Sequence, residues 1–473
     1  MQSFSKLFIN GQWLGSRSDA TIEVINPATG EICACVPAAN GEDVNLAVSA
    51  AKQAFPDWSA TSAGQRREYI LAIADEMQRR FDDLVIAISD TMGCPRELAK
   101  DIQVQGSIDA FRAFADYTDF VDAVSEENGI VQCRAAIGVC VLINPWNYPL
   151  SQLVGKLGPA LATGCTVVVK PAEQTPLQDL IMAEIIEKVG LPNGVFNLIT
   201  GYGHKIGEIL CAHPLVDMVS FTGSTAAGIK VAEAAAGTVK RVCQELGGKS
   251  PYIITEDADL EAAVRYGVED VMLNSGQTCC ALTRMLVQKN LYQQAVALAK
   301  QVAEENVVGS PIAIDTSIGP LSSHLQQQRV RDYIQMGIDE GATLVTGGNE
   351  VPQELSQGAY VMPTIFADVS NDMRIAQEEI FGPVLCLIAY DDINDAIAIA
   401  NDTPYGLSSA VYAKDATGAI KIARQIRAGQ CYIQGSYFNT SAPFGGFKQS
   451  GNGREWGEEG LREFIEIQSI IAE

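Results

Sequence analysis

The sequence predicts an α/β chain of two doubly wound units, each a mostly parallel sheet with helices on both faces, and a small β segment outside them. Three observations predict this class. Short β-branched runs alternate with amphipathic helices through the middle of the chain. The alternation starts afresh after Gly247-Gly248. At 473 residues, the chain is too long for one ordinary core.

The elements follow in order. Residues 42–55 carry Val44, Ala47, Val48, Ala51 and Phe55 at helical spacing, and 64–80 repeat the style with Tyr69, Ile70, Ile73 and Met77. Residues 117–133 fit neither period and read as a hairpin outside both units. Val139–Ile143 reads as a strand. The β-branched run 166–169 suits a strand buried on both faces. A helix over Leu177–Val189, a strand at 195–198, a short helix at 204–212, a strand at 217–221 and an Ala-rich helix over Thr225–Ala235 complete the first unit. Strand signals return at Pro251–Ile254, 284–287, 384–388 and Ala410–Tyr412.

Composition excludes some functions. Lysine and arginine number 33 against 57 acids, a formal charge of −24, and such a surface repels phosphate backbones and anionic bilayers. Nucleic-acid and membrane partners are therefore not expected. The first residues lack a signal-peptide pattern, and no apolar run approaches a membrane span. Twelve cysteines without a C-x-x-C pair read as reduced thiols, which points to the cytoplasm. Three histidines form no metal-ligand pattern, so no metal is expected.

Six segments carry candidate chemistry. In Asn274-Ser275-Gly276-Gln277-Thr278-Cys279-Cys280, polar and glycine residues favour a loop where a thiol can be reached. Two buried cysteines at a helix end is the plainer reading of that stretch alone. Gln244-Glu245-Leu246-Gly247-Gly248-Lys249 places a carboxylate before a paired-glycine turn. If desolvated, it becomes a general base. In Asn144-Pro145-Trp146-Asn147-Tyr148-Pro149 two prolines clamp a loop, and a fixed Asn147 amide can donate to an oxyanion. Lys170-Pro171-Ala172-Glu173 ends a strand at the edge where doubly wound sheets bind ligands, and both charged groups suit ribose hydroxyls. Phe221-Thr222-Gly223-Ser224-Thr225 is a strand–turn–helix junction with free N–H groups for a pyrophosphate, or an ordinary Ser N-cap. Glu379 and Phe381, before a Gly-Pro break, can hold a ribose and a flat ring together. Gly201-Tyr202-Gly203-His204-Lys205-Ile206-Gly207 is a decoy for G-x-G-x-x-G, because its last glycine comes one residue late.

Taken in order, Pro-Trp-Asn, Lys-Pro-Ala-Glu, Phe-Thr-Gly-Ser-Thr, Glu-Leu-Gly-Gly-Lys, Gly-Gln-x-Cys and Glu-Glu-Ile-Phe-Gly-Pro-Val resemble the aldehyde dehydrogenase superfamily. The likeness starts at Phe8-Ile9-Asn10-Gly11 and Ile25-Asn26-Pro27-Ala28-Thr29-Gly30. It ends at Pro443-Phe444-Gly445-Gly446-Phe447-Lys448-Gln449-Ser450-Gly451 and Gly453-Arg454-Glu455, so essentially the whole chain is covered. The resemblance implies two Rossmann-like domains and a small β oligomerisation arm. The coenzyme domain would take 1–116 and 137–247, the catalytic domain 248–447, and the arm 117–136 and 455–473. Assembly as a homodimer or homotetramer is implied.

The resemblance also assigns roles. Cys279, two after Gln277, matches the nucleophile, Glu245 the base that activates the deacylating water, and Asn147 the oxyanion donor. Lys156 and Glu455 match polar residues that support the site. Lys170 and Glu173 match contacts to the adenosine ribose, Ser224 a pyrophosphate contact, and Glu379 and Phe381 the nicotinamide-ribose side. Ile143, Pro145, Trp146, Gly203, Gly223 and Leu246 complete the implied cofactor contacts. The implied cofactor is NAD, with NADP as the alternative, because the Glu173 carboxylate would repel a 2′-phosphate. The implied reaction is oxidation of an aldehyde to an acid through a thiohemiacetal and a thioester on Cys279. A CoA-acylating enzyme is the alternative, and Glu245 counts against it. A catalytically silent protein on this fold would be free to lose Cys279, Glu245 or Asn147, and a plain thiol esterase would leave Glu173 and Glu379 without purpose. Residues 435–442 and 148–152 are expected to line the substrate tunnel. Tyr437 and Phe438 suit an apolar or aromatic aldehyde, and Gln152 suits one polar contact. Residues 452–457 resemble bacterial members, some of which act on semialdehydes.

Overall fold

In the computed structural model, which describes residues 2–471, five strands form the parallel centre of an eight-stranded sheet. They are Val139–Ile143, Thr166–Lys170, Phe196–Leu198, Met218–Thr222 and Arg241–Glu245. The first two are buried at every position, as strands covered on both faces must be. Alternate residues feed two cores. Leu142, Val167 and Val169 pack with Phe111 and Leu157 on one face. Val141 and Val168 pack with Val44, Val48 and Leu210 on the other.

The strand order positions the site. After Phe196–Leu198 the chain crosses to the far side of Val139–Ile143 to lay down Met218–Thr222. The order thus reverses beside Val139–Ile143, and the carboxyl ends open a crevice there. Register sets Ile143 beside both Lys170 and Phe221, and Thr222 beside Glu245, so these residues share one row at that edge. The helix Gly41–Ser59 starts in a capping box between Asn40 and Asp43, and Ala63–Arg79 starts in one between Ser62 and Gln65.

The second unit is a seven-stranded sheet. Its strands run in the order Thr343–Thr346, Thr364–Ala367, Val384–Tyr390, Arg284–Gln288, Pro251–Ile254, Ala410–Tyr412 and Tyr432–Ile433. All neighbours are parallel except Thr343–Thr346 at one edge. The two expected doubly wound units are therefore both present. A three-stranded sheet of Gln2–Ser3, Ile32–Pro37 and Thr21–Ile25 was not expected from the sequence.

The segment that fitted neither period is a hairpin of Ser125–Glu127 and Ile130–Ala136, extended by Ile465–Ile471. The Thr118 carbonyl accepts from the buried Arg66, and Trp456, Leu461 and Phe464 are buried in the core of the first unit. Apolar side chains hold those stretches down, so the arm sheet begins only at Ser125 and Ile465. No helix among the described residues is long and apolar enough to cross a membrane.

Candidate active site

Beyond the helix Leu260–Met272 the backbone takes three successive left-handed residues, Asn274 (φ 54°), Ser275 (φ 57°) and Gly276 (φ 73°). This turn delivers Gln277, Thr278 and Cys279 toward the carboxyl edge of the first sheet. Gly276 is required by close approach, because a Cβ there would lie 2.1 Å from the backbone of Gly382. Gly248 is required likewise, since its Cβ would stand 2.4 Å from the Cys279 carbonyl oxygen. Its N–H donates to Glu379 Oε1 at 2.9 Å. The paired-glycine turn after Glu245 thus packs the cysteine loop and the Glu379 loop against each other.

Asn147 is buried, and its Nδ2 donates to the Gln277 carbonyl at 3.0 Å, two residues before Cys279. Its own carbonyl accepts from Gln103 Nε2 and Asn274 Nδ2, both at 3.0 Å. Tyr148 Oη and Thr278 Oγ1 share a hydrogen bond of 2.8 Å. The clamped loop therefore grips the cysteine loop at Gln277 and Thr278. Gln277 is itself fixed, with Oε1 accepting from the Ser322 N–H at 2.9 Å.

Cys279 is half-buried. A hydrogen bond with Cys280, burial, and the charges of Glu379 and Glu245 hold its thiol well above the usual range. Glu245 ends the strand Arg241–Glu245 with both carboxylate oxygens buried and without a partner among the described residues. Burial and Glu455 push it well above the usual carboxylate range, and Lys156 and Arg454 only partly offset this. A Cβ on Gly445 would lie 2.7 Å from Glu245 Oε1, so a glycine leaves the carboxylate its space. Lys156 and Glu455 pair at 2.8 Å in full burial. The Lys156 ammonium also donates to Thr222 Oγ1 at 2.7 Å and Gln152 Oε1 at 3.1 Å. Gln152, expected to meet substrate, is thus engaged by Lys156.

Across the sheet edge lies a second row of polar groups. Lys170 Nζ stands 3.4 Å from Glu173 Oε2, while Glu173 Oε1 accepts the Gly203 N–H at 3.0 Å. Burial would raise the Glu173 carboxyl, but Lys170 and the Gly203 N–H bring it below the usual range. Gly203 opens the helix Gly203–Ala212, so the decoy motif contributes one N–H. Ile143 ends its strand in the same row as Lys170. Past Gly223, Ser224 caps Thr225–Ala235 through Ala227 N at 3.3 Å, the ordinary role weighed for it. Leu246 packs on Gly228 of that helix.

At the far end, Trp146, just after Pro145, meets Phe381 edge to face at 5.3 Å. Phe381 has φ 63°, and its carbonyl accepts from Gln326 Nε2 at 2.8 Å. The Glu379 carbonyl accepts from Arg329 at 2.8 Å. Burial raises the Glu379 carboxyl. Gln103, Asn274, Gln326 and Arg329 were missed by sequence reasoning. None lies in a motif with its own chemistry except Asn274, which stands at the head of the cysteine segment. A cavity of 870 Å³ between Asn26–Cys33 and the helix Phe81–Met92 contains none of the predicted site residues.

This arrangement defines a class: a thiol and an uncommitted carboxyl group beside the switch point of a doubly wound sheet, with charged and polar groups on either side of them. A family model described as aldehyde dehydrogenase family matches residues 13–470, and the chain belongs to that family. It is 46% identical to a 3-succinoylsemialdehyde-pyridine dehydrogenase of a Pseudomonas species, over 100% of this chain and 99% of the relative. Among solved structures, it is similar to aldehyde dehydrogenase C of Pseudomonas syringae, crystallised as a cysteine-to-alanine mutant with NAD+ and octanal. The TM-score is 0.97 and the identity 47%, over 99% of this chain and 96% of that one. An aldehyde dehydrogenase of Mycobacterium tuberculosis complexed with NAD+ aligns at TM-score 0.97 and 41% identity, over 100% of this chain and 99% of that one.

Proposed function

We propose that this protein oxidises an aldehyde to a carboxylic acid with NAD+, through a covalent thioester on Cys279 that water then hydrolyses. The observation that carries the reading is the convergence of Asn147, Cys279 and an unpaired, buried Glu245 on one sheet edge. The Cys279 thiol gives up its proton to solvent, the sulfur adds to the aldehyde carbon, and the carbonyl oxygen becomes an oxyanion. Asn147, with its carbonyl held by Gln103 and Asn274, is placed to donate to that oxygen. NAD+, when bound, would supply the hydride acceptor for oxidation of the thiohemiacetal to a thioester. Glu245 then takes a proton from water as the water attacks the thioester carbon, and Cys279 leaves as the thiolate. Burial raises the Glu245 carboxyl, which makes its carboxylate the stronger base toward that water.

The polar row fits a dinucleotide. Lys170 and Glu173 would take the adenosine ribose, the N-terminus at Gly223 and Ser224 the pyrophosphate, and Glu379, Phe381 and Trp146 the nicotinamide ribose and ring. Ile143, Pro145, Gly203 and Leu246 would complete the walls. An ionised Glu173 disfavours a 2′-phosphate, so NAD is the expected cofactor. Two relatives known with NAD+ support the same choice.

The tunnel would run past Tyr148 to the loop with Tyr437 and Phe438. Tyr437 packs on Tyr266 at 5.7 Å, and Phe438 on Phe444 and Trp456 at 5.6 and 5.9 Å. These aromatic walls suit an apolar or aromatic aldehyde. The arm would join subunits into a homodimer or homotetramer. Twelve free cysteines suit a reducing compartment, and the cytoplasm is the proposed place of action.

The test is cofactor reduction with NAD and NADP across aliphatic, aromatic and carboxylate-bearing aldehydes, without CoA. Turnover with NAD is expected, and Glu245→Gln should accumulate an acyl adduct visible in the intact mass. Reduction only when CoA is added would replace this reading with acyl transfer.

A further inference from the structure

Trp456 holds a backbone conformation that a bulky residue rarely takes, with φ 63° and ψ 161°. Bonds on both sides fix it there. Before it, Glu455 and Phe444 exchange both backbone hydrogen bonds at 2.7 Å, and the Glu455 carboxylate pairs with Lys156. After it, the Gly457 N–H donates to the Thr440 carbonyl at 3.1 Å. The Trp456 carbonyl accepts from the Gly460 N–H at 3.0 Å. Strain held in this way aims one side chain, here the indole.

The indole lies against the helix Pro149–Thr163 at Gly155, where a Cβ would stand 2.8 Å from its Cζ2. Inside a helix the backbone favours alanine over glycine, so it is the indole that needs the space. Three residues on, Gly158 leaves similar room for the ring of Phe114. Phe114 and Trp456 stack at 6.0 Å with planes 23° apart. Two rings thus take the place of two helix side chains. From the loop 435–442, Phe438 meets the indole edge to face at 5.9 Å. Trp456 is 2% exposed and Phe438 43%. Trp456 therefore joins the two segments expected to wall the tunnel, the helix that follows Tyr148 and the loop of Tyr437 and Phe438. Cys279 packs against the same apolar cluster as Trp456.

We infer that Trp456 sets the girth of the aldehyde that reaches Cys279. Its indole fills the space over Gly155, leaving room for an unbranched apolar chain and not for a saturated ring on the carbonyl carbon. This role presupposes the thioester chemistry proposed for Cys279.

The test compares kcat/KM, with NAD, for heptanal and cyclohexanecarbaldehyde, which have equally many carbons and differ in girth. Trp456→Leu should raise the ratio of cyclic to linear substrate about tenfold. Gly155→Ala should lower it about threefold, because Phe114 backs the indole and the added methyl drives the ring toward Phe438. A merely structural role would lower the Tm and both rates together. A ratio within about twofold of wild type in both variants overturns the assignment. If Trp456→Leu fails to fold, Trp456→Phe keeps one ring and should raise the ratio about threefold. If wild type reduces no NAD with either aldehyde, the dehydrogenase reading falls, and alkylation of Cys279 still decides the girth. Trp456→Leu should then speed N-cyclohexyl iodoacetamide about tenfold relative to iodoacetamide, read at Cys279 by peptide fragmentation. An unchanged ratio of those two rates overturns the assignment whatever the turnover.

Discussion

The carboxyl of Glu245 is raised by burial and Glu455, which has a measurable consequence. Its folded pKa lies above its unfolded value. Wild type therefore loses stability as pH rises from the unfolded pKa to the folded one, because only the unfolded chain sheds the proton in that window. Glu245→Gln removes this term. The variant should melt higher than wild type at pH 8, with the gap closing as pH falls to about 4, the unfolded carboxyl range. A gap that does not change with pH would place the cause in packing instead. Cys279 offers a second test, because the hydrogen bond with Cys280 is the largest contribution holding its thiol up. Cys280→Ala should speed carbamidomethylation of Cys279 at pH 7, read by peptide mass. An unchanged rate would mean that burial alone governs the thiol. Asn147→Ala should lower kcat by about 10²–10³ if the amide faces the oxyanion. A loss under about threefold would assign the oxyanion to other donors.

At the scale of elements, the loops matter more than the strands they leave. Gly276 has φ 73° and lies against the backbone of Gly382, which cannot swing aside as a flexible side chain would. Gly276→Ala adds a left-handed cost of about 1–2 kcal/mol and a clash that must move the cysteine loop. Its kcat should fall at least as far as that of Asn147→Ala, with the Tm lowered. Near-wild-type kcat would show that the loop tolerates displacement. The strands were legible because continuous β-branched runs such as Thr166–Lys170 can be covered on both faces only in a parallel sheet. The reactive segments were legible as motifs, but their contacts were not. The bond from Asn147 to the Gln277 carbonyl spans 130 residues of chain, and Gln103 reaches the same turn from a π-helix, Ala99–Gln105, that no periodicity announces. Gln152 is a related case. Its spacing of four from Lys156 on one helix joins it to the buried ion pair.

At the scale of the whole molecule, the arm is the part with least support of its own. Ser125–Glu127, Ile130–Ala136 and Ile465–Ile471 form three strands whose side chains are mostly exposed on both faces. Ile467 is 61% exposed and Ile471 80%, and Ile465–Ile471 has a free edge. A small sheet without a packed face is marginal in water, and an uncovered apolar edge invites pairing with another chain. Both pressures are relieved if a second copy covers the arm. Assembly would then follow from the arm's own chemistry as well as from family likeness. Wild type should sediment as a dimer or tetramer. Replacing Ile467 and Ile471 with lysine puts two charges where a partner would have to bury them, at a cost of several kcal/mol. The double variant should sediment as a monomer at micromolar concentration while its circular dichroism keeps the α/β signature, since neither residue belongs to a core cluster. A double variant with the mass of wild type would mean that the contact lies elsewhere, and the exposed isoleucines would then need another explanation.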